Sequence, residues 1–272
     1  MKTTSAFLFT LLVSIQVFAQ HSLEKLWLSD STLNHPESAL LDTKAKVLYV
    51  SNIGPFDSQG KGSVSKVGLD GKMIKNDWVT GLTATKGLGQ YKDKLYAAEN
   101  SSVAIIDISS GKILNRVAID GSQMLNDVTV DPKGIVYVSD SKTGKVHKIA
   151  DGKASVYLEN LTDINGLLAV GSDLYILAGT TFHKSDANKK LTVIAEGLEG
   201  GLDGIEMVAP NEFLVTGWEG TIYFVKSDGS KQSLLDTRGQ KINAADLGYD
   251  SKTKTLYVPQ MMSNSICAYK LK

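Results

Sequence analysis

One short pattern recurs six times along this sequence and constrains the fold more than any other feature. Each copy contains a run of β-branched and aliphatic residues around an aromatic residue, which is typical of a β-strand. In the clearest copy, Leu125 to Ser141, this strand follows another strand and the turn-forming segment Asp131-Pro132-Lys133-Gly134. The aligned aromatic residues are Tyr49, Tyr96, Tyr137, Tyr175, Phe213 and Tyr257.

The spacing of these copies predicts the architecture. The six aromatic positions are separated by 47, 41, 38, 38 and 44 residues. A repeat of about 40 residues built only from strands is typical of a β-propeller, so we predict an all-β, six-bladed ring of four-stranded antiparallel blades. A β-sandwich is the alternative, but a sandwich does not require six similar cassettes.

The last cassette predicts how the ring closes. The sequence ends after the third strand of this cassette, residues 265–271, so the blade lacks one strand. The segment Leu23 to Leu28 has a strand pattern and can supply it from the N-terminal side. Such closure would remove the exposed edge of an open blade. We therefore expect a single propeller domain over residues 20–272.

The first 19 residues predict a secretory signal peptide. A basic start, an apolar run from Ala6 to Val17 and small residues at Val17 and Ala19 are typical of a cleaved leader. A membrane anchor is the alternative, but the run is shorter than the roughly 18 apolar residues that a span needs. We expect an exported protein, periplasmic or secreted, with no membrane association after cleavage.

Charge and cysteine content limit the partners. Lys plus Arg equals Asp plus Glu at 29 each, so there is no electrostatic reason to expect nucleic acid as a partner. Cys267 is the only cysteine, which precludes an intrachain disulfide, and we expect it to be a buried, small apolar group. Motifs typical of serine hydrolases, zinc proteases and nucleotide hydrolases are missing from the sequence. The sequence indicates no oligomeric state.

The start of each innermost strand is the predicted functional position. In an antiparallel blade these starts lie at the same end of the ring as the turns between second and third strands. Two carboxylates and two amide oxygens at these starts suit Ca²⁺, or another divalent cation, better than Zn²⁺. The alternative is that each Asn or Asp simply forms a turn. The six positions, counted back from the aligned aromatic residues, are Glu37, Lys86, Asn126, Asn165, Asp203 and Ala245.

Four short motifs on successive cassettes resemble a known family. His35-Pro36-Glu37, Leu125-Asn126-Asp127, Ile164-Asn165-Gly166 and Leu202-Asp203-Gly204 are similar to the motifs of senescence marker protein (regucalcin), gluconolactonase and luciferin-regenerating enzyme. The resemblance implies a six-bladed propeller that holds Ca²⁺ through Glu37, Asn126, Asn165 and Asp203. It also implies hydrolysis of lactones or related esters, with Asp203 as general base or as nucleophile.

Two differences from the family pattern are also consistent with a second function. Sugar-lactone members of the family carry an Arg where this sequence has Met124, which argues against a sugar lactone as substrate. Lys86 could contact the substrate, point to solvent, or neutralise Glu37 and Asp203 in place of a cation. The alternative to a hydrolase is therefore a noncatalytic propeller that binds a small ligand or a protein, with the metal structural or absent.

The predicted pocket mouth is partly apolar. Phe56, Trp218 and Met261 lie in turns between second and third strands, where binding residues often occur. They favour a hydrophobic lactone or ester over a fully hydroxylated sugar acid. Three polar residues at or next to the inner-strand starts complete the predicted substrate-binding set: Lys86, Asp127 and Asp246.

Overall fold

The protein forms a ring of six β-sheets. The structure, a computed structural model, describes residues 20–55 and 59–272. The predicted signal peptide and the predicted pocket residue Phe56 lie outside the described residues. Within the described ranges, 24 strands form six four-stranded antiparallel sheets. The prediction of a six-bladed β-propeller is confirmed.

The first three blades follow the chain from the innermost strand outward. Blade 1 contains β2 (Pro36–Asp42), β3 (Val47–Asn52), β4 (Gly62–Gly68) and β5 (Met73–Leu82). Blade 2 contains β6 (Leu88–Tyr91), β7 (Lys94–Ala98), β8 (Ser102–Asp107) and β9 (Ile113–Ala118). Blade 3 contains β10 (Leu125–Val130), β11 (Val136–Asp140), β12 (Lys145–Ala150) and β13 (Lys153–Leu158).

The remaining blades repeat this order except for the last strand. Blade 4 contains β14 (Ile164–Val170), β15 (Asp173–Ala178), β16 (Thr181–Ser185) and β17 (Leu191–Ala195). Blade 5 contains β18 (Leu202–Ala209), β19 (Glu212–Gly217), β20 (Thr221–Lys226) and β21 (Lys231–Asp236). Blade 6 contains β22 (Gly248–Asp250), β23 (Thr255–Gln260), β24 (Ser265–Leu271) and β1 (Leu23–Leu28). Two short 3₁₀ turns lie at Arg238–Gln240 and Met261–Ser263.

The N-terminal strand closes the ring as predicted. β1 pairs antiparallel with β24, with Leu23 opposite Leu271. The Trp27 indole packs over Gly71 in the β4–β5 turn of blade 1, where a side chain would collide with it. Its Nε1 donates a hydrogen bond to the Leu69 carbonyl at 3.1 Å. The strand thus completes blade 6 and also fastens that blade to blade 1.

The hydrophobic core lies between neighbouring blades. Each of the six buried apolar clusters found in the described residues combines side chains from two adjacent sheets. The aromatic residues that defined the repeat lie on the second strands, and five of the six, all but Tyr137, are buried. Cys267 is fully buried, as predicted. Each blade is therefore stabilised mainly by burial against its neighbours.

In the part of the chain that the structure describes, no helix is both long enough and apolar enough to span a membrane.

Candidate functional site

A β-bulge lies at the start of four innermost strands. In β10, the pairing with β11 shifts register between Leu125 and Val128. Equivalent shifts occur at the starts of β2, β14 and β18. A bulge leaves a residue outside the regular ladder and redirects its side chain. The four residues predicted as metal ligands lie in these bulges, each as the second residue of its strand: Glu37, Asn126, Asn165 and Asp203.

Hydroxyl groups on the second strands support three of these bulges. In each case the residue after the predicted ligand donates its backbone N–H to a serine or threonine of the adjacent strand. The three bonds are Ser38 N–H to Ser51 Oγ at 2.8 Å, Asp127 N–H to Ser139 Oγ at 2.9 Å, and Gly204 N–H to Thr216 Oγ1 at 2.8 Å. The side chains of Ser51, Ser139 and Thr216 thus replace acceptors that a regular ladder would provide.

Three of the four predicted ligands have a buried oxygen atom without a hydrogen-bond partner. These atoms are Glu37 Oε2, Asn126 Oδ1 and Asn165 Oδ1. An unpaired buried polar atom typically costs about 1–3 kcal/mol, so three in one ring need an explanation. Carboxylate and amide oxygens are the donors that Ca²⁺ prefers. The residues present therefore fit a hard divalent cation.

Hydrogen bonds orient both amide side chains. Asn126 Nδ2 donates to Ser141 Oγ at 3.1 Å, and Asn165 Nδ2 donates to Asp203 Oδ1 at 2.9 Å. Since each amide nitrogen is occupied in this way, the oxygen of each amide is the atom left for a ligand. Sequence reasoning did not identify Ser141 as an orienting residue, because the strand pattern does not show which side chain the amide meets.

The site concentrates negative charge in a buried place. Burial raises the pKa of Glu37 well above its usual range, and the charges of Asp203 and Asp246 raise it further. Burial and Asp246 also raise the pKa of Asp203, while the hydrogen bond from Asn165 opposes that rise. A cation placed among these groups would favour their ionised forms.

Lys86 is the positive group of this ring. It precedes β6 and lies close enough to Glu37 that its charge lowers the pKa of that carboxyl. Burial in turn lowers the pKa of Lys86, while Glu37 opposes the shift. Lys86 Nζ donates to the Ala84 carbonyl and to Asn100 Oδ1, both at 3.3 Å. Lys86 is therefore a partial counter-charge held at the edge of the ring.

Asp127 and Asp246 form a second layer, in which Asp127 is buried and Asp246 is half-buried. Asp127 accepts backbone hydrogen bonds from Val128 and Leu167, both at 2.6 Å, so it links blades 3 and 4. Asp246 Oδ2 accepts from Ser38 Oγ at 2.5 Å, and burial raises the pKa of Asp246 to about 6. Both carboxyls are already engaged within the protein.

Two glycines let the inner strands approach closely in this layer. A Cβ at Gly166 would collide with the backbone carbonyl oxygen of Asp203, and a Cβ at Gly204 would lie 2.5 Å from Asp246 Oδ1. The glycine residues that follow Asn165 and Asp203 are thus required by the close packing of blades 4, 5 and 6.

A cavity of about 490 Å³ lies beneath these two layers in the central channel. Its lining includes Asp127, Asp246 and Glu206, together with Thr43 and Lys92 from turns at the opposite end of the ring. None of the four predicted ligands lines it. The cavity therefore belongs to the channel behind the ligand ring and not to the predicted substrate mouth.

Glu206 is a further acid in the channel, half-buried, that sequence reasoning missed. Burial, together with the charge of Asp246, raises the pKa of Glu206 to about 8, although a backbone hydrogen bond from Tyr249 opposes the rise. Its position follows from strand alternation: Gly204 and Glu206 share one side of β18, while Ile205 packs in the core between blades. Applying the two-residue period from Gly204 identifies it.

The remaining predicted mouth residues differ in exposure. Trp218 lies in the β19–β20 turn and is 40% exposed, whereas Met261 is buried and its neighbour Met262 is 56% exposed. The backbone N–H of Trp218 donates a hydrogen bond to the carbonyl of Gly201 at 2.8 Å, and Gly201 lies two residues before Asp203 in the sequence. The structure thus locates Trp218 at the ligand end of blade 5.

The composition of the ligand set limits which metal it suits. In residues 20–55 and 59–272, no group of three or more His, Cys, Asp or Glu side chains is arranged to hold a metal ion. A cation in the ring would therefore depend on the amide oxygens of Asn126 and Asn165 as well as on the two carboxylates. Such a set lacks the nitrogen and sulfur donors that Zn²⁺ favours.

Comparison with known proteins supports the fold. No protein-family model matches the sequence, and no curated protein matches it either. A solved structure described as a candidate gluconolactonase superposes with a TM-score of 0.70 at 16% identity, covering 93% of each chain. A catalytically inactive variant of virginiamycin B lyase from Staphylococcus aureus, solved with quinupristin, superposes with a TM-score of 0.66. It is 11% identical, and the match covers 93% of this chain and 100% of the lyase.

The likeness is one of fold. Both neighbours are six-bladed propellers, as is this protein. At 11% and 16% identity the superpositions do not carry over an activity or a ligand set. Any statement about chemistry has to come from the residues of this site.

Proposed function

We propose that this protein is an exported hydrolase of lactones or related esters that depends on a divalent cation, with Ca²⁺ as the expected metal. The observation that carries the proposal is the set of three buried, unpaired oxygen atoms on Glu37, Asn126 and Asn165. Asp203 lies beside them and is hydrogen-bonded to Asn165. The similarity in fold to a candidate gluconolactonase is consistent with this reaction class.

The cation would be held by Glu37, Asn126, Asn165 and Asp203. When bound there, it would act as a Lewis acid that polarises the carbonyl group of the substrate. The layer of Ser38, Asp127 and Asp246 behind the ring supports the inner-strand backbones and separates the ring from the channel cavity.

Asp203 would carry the proton transfer or the attack. Its Oδ1 accepts the hydrogen bond from Asn165 Nδ2, which fixes the plane of the carboxyl group. Only 2% of the Asp203 residue is exposed, so little bulk water competes with a bound substrate. As general base Asp203 would take a proton from water, and as nucleophile it would attack the carbonyl carbon itself. Both roles require its ionised form.

The test is hydrolysis of a panel of lactones and aryl esters by metal-stripped protein, with and without added Ca²⁺. We expect activity that returns with Ca²⁺ and is lost in Asp203→Asn. Asp70→Asn is the matched control, because Asp70 is exposed in the β4–β5 turn and pairs only with Lys72 on the surface. The absence of activity across the panel, despite tight Ca²⁺ binding, would reject the hydrolase.

A noncatalytic ligand-binding propeller is the second candidate. The observation that favours it is the ammonium group of Lys86, which already offsets part of the charge of Glu37. Calorimetric titration with Ca²⁺ tests the hydrolase, which requires a cation, whereas the second candidate uses a cation only for structure or holds none. If Lys86→Met gained Ca²⁺ affinity from an undetectable level in the wild type, Lys86 would be the internal counter-ion.

Export is tested separately. Expression of the full sequence in a secreting host, followed by N-terminal sequencing of the exported product, should give a chain that begins at Gln20. Retention of residues 1–19 on the exported chain would reject the predicted cleavage site.

A further inference from the structure

One buried amide ties together two loops at the ligand end of the ring. Asn243 is only 7% exposed and lies in the segment that leads into blade 6. Its Nδ2 donates to the Trp218 carbonyl at 3.0 Å, and its Oδ1 accepts from the Met262 backbone N–H at 3.1 Å. Since Trp218 belongs to blade 5 and Met262 to blade 6, the amide group of Asn243 bridges two neighbouring blades.

The two residues held in this way are unusual in their exposure. Nine large hydrophobic side chains are exposed in the described part of the chain, and seven of them lie on the outermost strands of the blades. Trp218 and Met262 are the other two, and both lie in loops. The seven on outer strands are Leu26, Leu28, Ile74, Leu114, Val156, Leu191 and Val193.

These two exposed residues lie at the end of the ring that carries the candidate ligands. The Trp218 turn is hydrogen-bonded to Gly201, just before Asp203. The Met262 turn follows β23, whose Pro259 carbonyl accepts from Ala245 N–H at 3.0 Å, at the inner-strand start of blade 6. Lys86 lies in blade 2, and in a ring of six blades blade 2 lies opposite blade 5. The mouth is therefore apolar on one side and cationic on the other.

We propose that Trp218 and Met262 form an apolar subsite for the hydrocarbon substituent of the substrate, with Asn243 as the residue that positions them. The inference rests on the proposed lactone or ester hydrolysis and names its substrate class: alkyl- or aryl-substituted lactones and esters. An indole face and a flexible thioether present apolar surface that adapts to chains of different shape. Removing such surface from water on substrate binding stabilises the complex by about 0.8 kcal/mol for each buried methylene.

The test uses a series of lactones that differ only in the length of the alkyl substituent. For the wild type we expect kcat/KM to rise by up to about fourfold per methylene until the subsite is filled. Trp218→Ala and Met262→Ala should flatten this rise, with the largest loss of kcat/KM on the lactones that have the longest alkyl substituents. Leu114→Ala is the matched control, because Leu114 has the same 56% exposure as Met262 but lies on outer strand β9.

Asn243→Ala tests whether Asn243, which does not touch the reacting atoms, positions Trp218 and Met262. It should raise KM for the long-chain lactones more than it changes kcat, with unchanged Ca²⁺ affinity by calorimetry. A uniform loss of activity on short and long lactones would make Asn243 merely structural. Equal chain-length dependence in the wild type, Trp218→Ala and Met262→Ala would overturn the subsite.

Equilibrium binding distinguishes failure of the subsite from failure of the proposed reaction. Alkyl lactams of increasing chain length are not hydrolysed like lactones, and their affinity can be measured by calorimetry in the presence of Ca²⁺. Chain-length-dependent binding that Trp218→Ala weakens, in a protein that hydrolyses no lactone or ester, would support the subsite and reject the hydrolase. Turnover of lactones without any chain-length preference, either in rate or in lactam binding, would support the hydrolase and reject the subsite.

Discussion

Asn165 Nδ2 donates a hydrogen bond to Asp203 Oδ1 at 2.9 Å across the boundary between blades 4 and 5. The bond leaves Asn165 Oδ1 buried and unpaired, and it lowers the pKa of Asp203 against the effect of burial. This one hydrogen bond therefore orients the side chains of two of the four predicted ligands.

Replacing Asn165 should weaken cation binding. Asn165→Ala removes one oxygen donor and the hydrogen bond that orients Asp203, so we expect Ca²⁺ affinity to fall about tenfold or more by calorimetry. Asn115→Ala, an exposed position on outer strand β9, should leave the affinity unchanged. Wild-type Ca²⁺ affinity in Asn165→Ala would remove this residue from the ligand set.

Ser141 should matter for Ca²⁺ binding although it is not a ligand. Its hydroxyl holds Asn126 Nδ2, and loss of one such hydrogen bond is worth about 1 kcal/mol. We expect Ser141→Ala to reduce Ca²⁺ affinity about fivefold. Ser122→Ala removes a serine hydrogen bond from the loop before β10, to the Ile119 carbonyl, and should not change the affinity. Equal effects of the two variants would contradict the orienting role.

Ca²⁺ affinity should increase with pH. The pKa values of Glu37 and Asp203 are raised, so both carboxyls hold protons at a pH where ordinary carboxyls are ionised. Cation binding must displace these protons, and affinity should rise by up to about tenfold per pH unit for each proton released. Calorimetry in buffers of different ionisation enthalpy counts the protons. The absence of proton release at every pH tested would argue against ligation by these two groups.

Glu206 should make the protein less stable as pH rises. Its pKa is about 8 in the folded protein against 4.5 for an ordinary glutamate, so the folded state binds the proton more tightly than the unfolded state does. The stabilising contribution is complete below about pH 4.5 and is lost as pH rises through 8. In metal-free protein, Glu206→Gln should show a smaller fall in melting temperature between pH 5 and pH 8.5 than the wild type.

Glu24→Gln is the control for this pH dependence. Glu24 is exposed on β1, and its pairing with Lys272 lowers the pKa of Glu24, so it titrates below the pH range used. The variant should retain the wild-type slope. Coincident slopes for the wild type and Glu206→Gln would show that Glu206 does not titrate in this range.

Trp27 should carry much of the stabilisation that β1 provides. Its ring packs over Gly71 and its Nε1 is hydrogen-bonded to the Leu69 carbonyl. Since the side chain is half-buried, we expect Trp27→Ala to lower the free energy of unfolding by about 2 kcal/mol. Leu26→Ala, exposed on the same strand, should cost less than about 0.5 kcal/mol. Denaturant unfolding measures both, and equal losses would mean that β1 is held by backbone pairing alone.

The repeated strands could be predicted from sequence because their signal is local. Runs such as Val136 to Val138 show the strand pattern and occupy the same place in each blade, and the missing strand of blade 6 pointed to Leu23–Leu28. The starts of the inner strands followed from the same register. These predictions needed only spacing and periodicity.

The finer features of the site depend on contacts between blades. The Asn165–Asp203 hydrogen bond joins residues 38 positions apart, and the Asn243 bridge joins three separate segments. Strand periodicity gives the side of a strand on which a residue lies but not its partner across the ring. For this reason strand periodicity does not predict the contacts of Ser141 and Asn243, whereas it does place Glu206 on the same side of β18 as Gly204.

The pairing of Leu23 with Leu271 has a consequence for the order of folding. Blades 1 to 5 are each built from consecutive strands, so they can form through contacts that are short in sequence. Blade 6 combines β1 with β22, β23 and β24, which are far from it in the sequence, and contacts of such high sequence separation form slowly. Until β24 is available, β1 has no partner strand and the ring is an open arc. A chain in which β24 has not yet formed would therefore be prone to aggregate, although blades 1 to 5 could already be complete.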